Sequence, residues 1–386
     1  MKNRITGNII SVLKTDFRHK IVFCIFVFVF QFELTEAQNS NEWPYPRADQ
    51  QLSGNTSFNF PASPNILWSF KTGGEIKTSP VVTDGKIVIS STNAHIYCLD
   101  TIGKLLWKFQ SDNVFEASPI IHHKKVFVGD LSGNFYSLDL RNGKKLWEYQ
   151  AENQIMATAN WWEKNGKHYL LVGSYDFYLH CIDAETGKAV WKYQLDNYLN
   201  GAVAISNGKA VFGGCDGFLH LVDIETGTED LKYDIATYIA SSPLVDSNMA
   251  YIGDYDGFFY AIDLKEKKQI WKFDNPDFNL PFIASPALYH DYLIAVNHDK
   301  HVYCINKKTG KLIWKRNTGF KIDASPLINN NSVLIENMRG DILMLNLSNG
   351  KIIWEYELGC PVFSNPAITS GRIYLGAMDG NVYCIE

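Results

Sequence analysis

The chain has 386 residues, of which 46% are apolar, 14% aromatic and 20% charged, and its formal net charge is −5. This composition is sufficient for a large hydrophobic core. A mildly acidic chain without a run of basic residues argues against a nucleic-acid partner. Length alone suggests two or three domains, but an internal repeat would override that estimate because repeats enlarge one domain without deepening its core.

The N-terminus has the pattern of an export signal. An apolar run at positions 21–30 is followed by the small-x-small site Thr35-Glu36-Ala37, which predicts cleavage after Ala37. The basic residues before the run are Lys2, Arg4, Lys14, Arg18 and Lys20. The run is shorter than the roughly 20 residues of a membrane span, although an uncleaved signal anchor is the alternative. We predict a signal peptide at 1–37, an extended lead-in at 38–64, a propeller at 65–386, and no membrane span after signal removal.

A tryptophan repeats at intervals of about 40 residues, a period typical of repeat architectures. The positions are Trp68, Trp107, Trp147, Trp191, Trp271, Trp314 and Trp354. Leu231 fills the double gap between Trp191 and Trp271. The period therefore predicts eight units.

Each unit contains the same parts in the same order. A Ser-Pro pair or a variant of it, such as Ser242-Pro243, precedes a short strand, a turn and a second strand. A turn rich in Gly and Asp, such as 253–257, leads to an alternating third strand. A Thr-Gly-Lys turn, as at 186–188, then leads to a fourth strand with the tryptophan. Short β-branched or aromatic runs bounded by Gly, Asn and Asp are strand and hairpin signals, and four strands per repeat indicate a propeller blade. We predict an all-β, eight-bladed β-propeller of four-stranded antiparallel blades.

The ends of the chain are complementary. Residues 381–386 form a third strand without its fourth, whereas residues 65–70 form a fourth strand without its first three. We therefore expect the N-terminal strand to pair with the C-terminal blade and close the ring. The repeated tryptophans are interpreted as packing residues between blades.

The pattern Asp-x-x-Thr-Gly-Lys-x-x-Trp at Asp183–Trp191 resembles the PQQ-like (pyrroloquinoline quinone) β-propeller repeat family. It recurs with variation at 139–147, 223–231 and 306–314. Trp43-Pro44, Arg47 and Gly54 look like the lead-in of such proteins. The resemblance covers residues 43–386. It implies one of two classes: quinoprotein dehydrogenases that hold PQQ and Ca²⁺, or non-catalytic BamB-like propellers that serve as binding scaffolds. Fold alone does not choose between them.

The cysteines favour the scaffold class. Quinoprotein alcohol dehydrogenases are known for a disulfide between adjacent cysteines, and this chain has none adjacent. Cys98, Cys181, Cys304 and Cys384 occupy one position in different blades, too far apart for a disulfide, and are interpreted as small buried apolar residues. We therefore predict no cofactor and no enzyme activity, with PQQ and Ca²⁺ in a PQQ-dependent oxidoreductase as the alternative.

Polar residues at two loop positions are expected to line one mouth of the central channel. The candidate axial rim is Lys77, Glu116, Asp130, Asn200, Asp254, Asn297 and Asp323. Oxygen ligands gathered there would suit Ca²⁺, whereas the alternative is a water-filled polar channel. Residues expected near the same rim that could anchor a partner are Trp161, Trp162, Tyr175, Tyr255, His298 and Arg339. His122-His123 falls in a predicted hairpin turn and is interpreted as solvated.

These features predict a monomeric, non-catalytic, extracytoplasmic scaffold, periplasmic or extracellular, that binds a protein or peptide at its loop face or blade edges. A role in cell-envelope assembly is one expectation. The alternatives are a PQQ- and Ca²⁺-dependent dehydrogenase with a reduced site, and a carbohydrate- or polymer-binding propeller suggested by exposed aromatic residues.

Overall fold

The computed structural model describes residues 42–274, 279–369 and 371–386. Over these residues the regular elements are 32 β-strands arranged as eight four-stranded antiparallel sheets. The predicted all-β, eight-bladed propeller is confirmed. The predicted signal at 1–37 lies outside the described residues. Within the described ranges, no helix has the length and apolar character required to cross a membrane.

Seven blades follow the chain, and the eighth combines its two ends. Blades 1 and 2 are β2 (Val81–Thr83), β3 (Lys86–Ser91), β4 (His95–Asp100), β5 (Leu105–Gln110) and β6 (Ile120–His122), β7 (Lys125–Gly129), β8 (Asn134–Asp139), β9 (Lys145–Gln150). Blades 3 and 4 are β10 (Asn160–Lys164), β11 (Lys167–Gly173), β12 (Tyr178–Asp183), β13 (Ala189–Gln194) and β14 (Ala204–Ser206), β15 (Lys209–Gly213), β16 (Phe218–Asp223), β17 (Glu229–Asp234). Blades 5 and 6 are β18 (Leu244–Asp246), β19 (Met249–Gly253), β20 (Phe258–Asp263), β21 (Lys268–Asp274) and β22 (Ala287–Tyr289), β23 (Tyr292–Val296), β24 (His301–Asn306), β25 (Leu312–Asn317). Blade 7 is β26 (Leu327–Ile328), β27 (Ser332–Glu336), β28 (Asp341–Asn346), β29 (Ile352–Glu357), and blade 8 is β30 (Ala367–Thr369), β31 (Arg372–Gly376), β32 (Asn381–Ile385) with β1 (Ile66–Lys71).

The ring closes as predicted. β1 pairs antiparallel with β32, with Trp68 opposite Cys384 and Phe70 opposite Val382. The first strands β2 and β30 are also neighbours across this junction. Because the first and last parts of the propeller share one sheet, unfolding of either end breaks the same blade.

The repeated tryptophans join neighbouring blades, as interpreted. The indole Nε1 of Trp147 in blade 2 donates to the Ala184 carbonyl of blade 3 over 3.1 Å. A Cβ on Gly187, whose φ is +71°, would lie 2.7 Å from the same indole. Glycine is therefore needed here for two reasons: the backbone has a positive φ, and the indole ring lies too close for a side chain. Equivalent Trp–Gly pairs are Trp68–Gly103, Trp107–Gly143, Trp191–Gly227, Trp271–Gly310 and Trp314–Gly350.

The boundary between blades 4 and 5 lacks both members of this pair. Leu231 stands at the tryptophan position in β17, and Lys267, with φ +55°, stands at the glycine position of the next blade. The Lys267 ammonium donates to the Asp230 carbonyl over 2.7 Å. Without an indole to accommodate, the turn accepts a side chain, so the two changes in the repeat compensate each other.

The outer strand of each blade contains a β-bulge next to its tryptophan, or next to Leu231 in blade 4. In blade 1 the pairing passes from Cys98–Trp107 to Leu99–Leu105, which leaves Leu106 as the extra residue. Bulges increase twist and make an edge strand a poor template for another strand. These edges nevertheless expose aliphatic side chains, for example Leu67 at 51% and Ile353 at 49%.

The lead-in packs along the inner face of the ring. Carbonyls of this segment accept backbone N–H groups from the first strands of successive blades, and Trp43 also donates to Val82. The donors, with acceptors in parentheses, are Val82 (Trp43), Ile121 (Pro44), Ile205 (Gln50), Val245 (Gln51), Leu288 (Ser53) and Ile328 (Gly54). In blade 3 the Asn160 side chain donates to the Gln50 carbonyl instead. A first strand pairs with only one neighbour in its own sheet, so the lead-in satisfies its open edge.

Apolar side chains between adjacent blades form the core, and they include the cysteines. Cys98, Cys181, Cys304 and Cys384 are buried free thiols, as expected for small apolar residues in equivalent positions. Burial raises the pKa of each of these thiols, because the thiolate is the form that burial penalises. They are therefore packing residues.

The Trp–Gly contact predicts a difference between two otherwise similar substitutions. Gly187→Ala and Gly166→Ala both place a side chain at φ +71°, but a Cβ at Gly166 meets nothing within 4 Å. We expect Gly166→Ala to cost about 1–2 kcal/mol from backbone strain. Gly187→Ala should cost roughly 1–3 kcal/mol more because the indole has to move. Denaturant unfolding measures both, and equal losses would show that the indole contact contributes nothing.

The blade 4–5 boundary predicts non-additive behaviour. Leu231→Trp alone brings an indole against the Lys267 side chain, and Lys267→Gly alone increases the freedom of the unfolded chain. Together they recreate the repeated pair. We expect the double variant to be more stable than the sum of the single effects by about 0.5–3 kcal/mol in a double-mutant cycle of unfolding free energies. Additive effects would contradict the pairing.

Candidate functional site at the channel mouth

The lead-in lies along the first strands at one end of the central channel, and a polar pocket lies at the other. Tyr45, Pro46 and Arg47 line its inner end, and loops between blades line its mouth. The pocket has a volume of about 180 Å³. Its other lining residues are Met156, Thr158, Asn200, Gly201, Ala202, Ala240, Ser242, Ile283, Ala284, Ser285, Asp323, Ser325, Phe363 and Asn365. Asp323 is the single carboxylate in this described lining.

The Ser-Pro positions form a ring of hydrogen bonds around the mouth. The backbone N–H of one blade donates to the side-chain oxygen at the same position of the next blade, as from Ser285 to Ser325 over 3.0 Å. The other described bonds of this kind are Ser79 to Ser118, Ala202 to Ser242, Ser242 to Ser285, Ser325 to Asn365 and Asn365 to Ser79. The last of these crosses the junction between blades 8 and 1. Each of these side-chain oxygens therefore connects two neighbouring blades.

Arg47 joins the lead-in to this ring. Its guanidinium donates to the carbonyls of Pro326 over 2.7 Å and Pro286 over 2.5 Å. Gly54 has a φ of +61°, and a Cβ there would lie 2.3 Å from Arg47 Nη2. The contact explains why these two residues occur together in the lead-in.

A second buried charge-bearing group faces Arg47. The Glu336 side chain is fully buried, and neither of its oxygens has a hydrogen-bond partner among the described residues. Burial raises the pKa of Glu336 to about 8, and the positive charge of Arg47 offsets only part of this effect. Five of the other blades have a glycine at this strand position: Gly129, Gly173, Gly213, Gly253 and Gly376. Sequence reasoning missed Glu336, although an acid at a glycine position was a visible signal.

Three of the predicted rim residues form pairs between neighbouring loops. Lys77 and Glu116 form an ion pair of 2.6 Å. The Tyr175 hydroxyl donates to Asn200 Oδ1 over 2.5 Å. These pairs link loops of adjacent blades, which makes them part of the frame of the mouth.

Asp323 forms the principal charged group of the pocket. His298 Nε2 lies 2.5 Å from its carboxylate and Lys321 Nζ lies 3.2 Å from it. Burial opposes its ionisation, but the His298 hydrogen bond and the charges of His298 and Lys321 outweigh burial and lower the pKa of Asp323. The carboxylate is therefore ionised and already paired.

Three predicted rim residues are directed into their own turns. Asp130 is fully buried and accepts hydrogen bonds from the Ser111 and Tyr136 hydroxyls over 2.8 and 2.9 Å. Asp254 likewise accepts from the Tyr260 hydroxyl over 2.7 Å. The Asn297 amide donates to the Leu280 carbonyl over 2.6 Å. These side chains stabilise the turn between the second and third strands because they satisfy its N–H groups. The sequence pattern did not distinguish a side chain with this role from one that lines the channel.

The rim residues therefore do not fit the calcium site of the PQQ alternative. A Ca²⁺ ion takes six to eight oxygen ligands, and the described pocket offers one carboxylate that is already bound to His298 and Lys321. Glu116, Asp130 and Asp254 are not lining residues of the pocket.

The predicted partner anchors divide into two groups. Trp161 and Trp162 lie in β10, with their rings stacked on His122 at 3.8 Å and on Tyr169 at 4.4 Å, so they pack between strands and do not project from the rim. Tyr175, Tyr255, His298 and Arg339 lie in the loops of the mouth, as expected. Arg339 pairs with Asp341 and lies 4.9 Å from the Phe320 ring.

Exposed or half-buried aromatic side chains lie in the loops of this mouth on blades 3 to 5. We define the aromatic surface as Tyr175, Phe177, Tyr198, Tyr238 and Tyr255. Tyr175 stacks on Tyr198 at 4.4 Å, and Phe177 lies 5.2 Å from Tyr198. Tyr198, Tyr238 and Tyr255 are 40%, 58% and 52% exposed. Sequence reasoning found Tyr175 and Tyr255 but missed the others, because the loops that bring them together belong to different blades.

Comparison with known proteins identifies the family. The sequence profile of the family described as "Outer membrane protein assembly factor BamB" matches residues 61–161 and 175–386. The chain belongs to this family. No curated protein matches the chain. The family membership accounts for the repeat pattern and agrees with the expected resemblance.

Solved structures similar to this BamB-family chain share its fold. BamB from Moraxella catarrhalis is 19% identical, with a TM-score of 0.71, over 84% of this chain and 98% of that one. The computationally designed Ika8 protein is 17% identical, with a TM-score of 0.73, over 83% and 98%. A europium-containing methanol dehydrogenase is 13% identical, with a TM-score of 0.75, over 90% and 98%. An assembly factor, a designed protein and a dehydrogenase thus share one architecture, which leaves function to the site.

The buried Glu336 predicts a pH-dependent stability. Its pKa rises from 4.5 in the unfolded chain to about 8 in the folded protein, so the folded state loses stability as the pH rises through this window. Glu336→Gln removes the titrating group. We expect the melting temperature of the variant to exceed that of the wild type at a pH of about 8, and the gap to narrow towards a pH of about 5.

Glu355→Gln is the matched control, since its side chain is 45% exposed on β29 of the same blade. Circular dichroism melts across the pH range compare the three proteins. Parallel profiles for wild type and Glu336→Gln would contradict the burial argument.

Proposed function

We propose that this protein is a non-catalytic, extracytoplasmic scaffold whose aromatic surface binds an extended peptide with alternating aromatic and polar side chains. The observation that carries the proposal is the exposure of Tyr198, Tyr238 and Tyr255 on one face of the ring. Aromatic residues dominate binding hot spots because they bury large area with few rotatable bonds. The lead-in lies at the other end of the channel, so the face with the aromatic surface is the accessible side of the pocket.

The family description supplies the class of partner. It names outer membrane protein assembly, and strands of outer-membrane barrels alternate apolar and polar side chains. Such a strand, before it is inserted, exposes aromatic side chains on one side that could stack on the aromatic surface. The same description and the predicted export signal support a location in the cell envelope.

The frame supports a rigid surface. Ser-to-Ser hydrogen bonds cross the blade boundaries of the mouth, and Tyr175 is held both by Asn200 and by stacking on Tyr198. A preorganised surface loses little conformational entropy when it binds. Because the described pocket presents one carboxylate that is already paired, the chemistry of this face favours binding over catalysis.

A peptide titration tests the proposal. The probe is a fluorescent peptide of about ten residues with alternating aromatic and polar side chains, and the comparison is a scrambled peptide of the same composition. We expect saturable binding of the alternating peptide. The triple variant Tyr198→Ala, Tyr238→Ala, Tyr255→Ala should weaken it by roughly tenfold or more, because each lost hot-spot side chain costs about 1 kcal/mol or more.

The double variant Ile102→Ala, Ile353→Ala is the matched control, since both side chains are exposed but neither belongs to the aromatic surface. Ile102 lies in a turn between a third and a fourth strand, and Ile353 lies in an outer strand. Its affinity should equal that of the wild type, and melting temperatures should verify the folding of every variant. Equal binding by wild type and the triple variant would overturn the proposed surface. Equal binding of both peptides would overturn recognition of the alternating pattern.

A further inference from the structure

A histidine cluster forms between blades 2 and 3, away from the pocket residues. His122 and His123 lie at the turn between β6 and β7, and His168 lies in β11 of the next blade. One ring nitrogen from each side chain can be chosen so that all three lie within 4.8 Å of one another. The sequence indicated only the first two, because His168 is 45 residues from His123 and reaches it through blade packing.

The geometry of the cluster is close to that of a metal site. His122 Nε2 and His168 Nδ1 are 3.0 Å apart. Two nitrogens bound to one tetrahedral zinc ion at about 2.0–2.1 Å lie roughly 3.3 Å apart. The His123 ring centroid lies 4.3 Å from that of His122 and 4.0 Å from that of His168. Small ring rotations would direct all three nitrogens to one point.

The surroundings hold these rings in place. The Trp161 ring stacks on His122 at 3.8 Å, and His122 is only 8% exposed. Glu163 is the cross-strand partner of His168, and its carboxylate lies 3.7 Å from His168 Nδ1. Burial, together with the neighbouring histidines and Lys125, lowers the pKa of His122 to about 3.

The backbone at this turn is unusual. His123 and Lys124 have φ angles of +46° and +60°. The corresponding turn of blade 4 has Asn207 and Gly208, residue types that adopt positive φ readily. A positive φ at a non-glycine residue also occurs at the first turn position of other blades, as at Asp84 and His290, so only Lys124 departs from the repeat. The turn conformation of His123 is therefore the one that the repeat provides.

We propose that His122, His123 and His168 bind one divalent transition-metal ion of the zinc class and that the ion connects blades 2 and 3. Three imidazole nitrogens suit zinc and its neighbours in the first transition row and not calcium or magnesium, which prefer oxygen ligands. Because His123 is exposed, a fourth coordination position faces solvent. The ion replaces contacts between the three imidazole rings with bonds from each ring to one shared cation. Metal binding should therefore stabilise the boundary between blades 2 and 3.

Titration of the full chain, free of any polyhistidine tag and stripped with a chelator, tests the site. Zinc binding is measured by calorimetry, and cobalt binding by the visible absorption of its tetrahedral complexes. We expect one saturable zinc per chain, a rise in melting temperature on zinc addition, and no saturable calcium binding. His123→Asn keeps a residue suited to positive φ and should weaken zinc binding by roughly tenfold or more. Removal of a group that only hydrogen-bonds to a metal ligand already lowers metal affinity by about 10- to 100-fold.

His290→Asn is the matched control. His290 occupies the same turn position in blade 6, with φ +52°, and its described ring neighbour is Tyr289. Zinc affinity in this variant should equal that of the wild type. His168→Ala should also abolish saturable zinc binding. If His168→Ala impairs folding, the zinc affinity of His123→Asn tests the site by itself. Absence of saturable binding by the wild type, or equal affinities in wild type and His123→Asn, would overturn the site.

Discussion

The open edge of each first strand is the constraint on which the rest of this propeller depends. A blade pairs its own four strands, which leaves the inner strand with N–H groups directed at the channel. The lead-in satisfies these groups one blade after another, from Val82 to Ile328. An unsatisfied buried N–H would cost about 1–3 kcal/mol, so the lead-in is part of the core of the fold.

This packing also determines which face can have a function. The lead-in lies at one end of the channel, and Arg47 attaches it to the carbonyls of Pro286 and Pro326. The remaining end has a polar pocket and, beside it, the aromatic surface.

Departures from the repeat are where individual properties arise. A glycine position becomes Glu336 opposite Arg47, and a turn that has asparagine and glycine in blades 3 and 4 has His123 and Lys124 in blade 2. Loss of the tryptophan at 231 is matched by loss of the glycine at 267, so that departure restores packing and adds no site. Comparison of each blade with its neighbours thus separates compensated changes from those that add a new group.

The sequence by itself determined the number of blades, the strand order and the closing pair, because period, turn residues and alternation are local properties that repeat eight times. The family resemblance assigned Arg47 and Gly54 to the lead-in, and only the structure showed that the two are in contact. Only the tertiary structure decided that Asp130 and Asp254 turn inwards, and that His168 joins His122. The physical reason is that a blade's own strand pattern specifies its sheet, whereas the direction of a loop side chain and its contacts depend on the neighbouring blade.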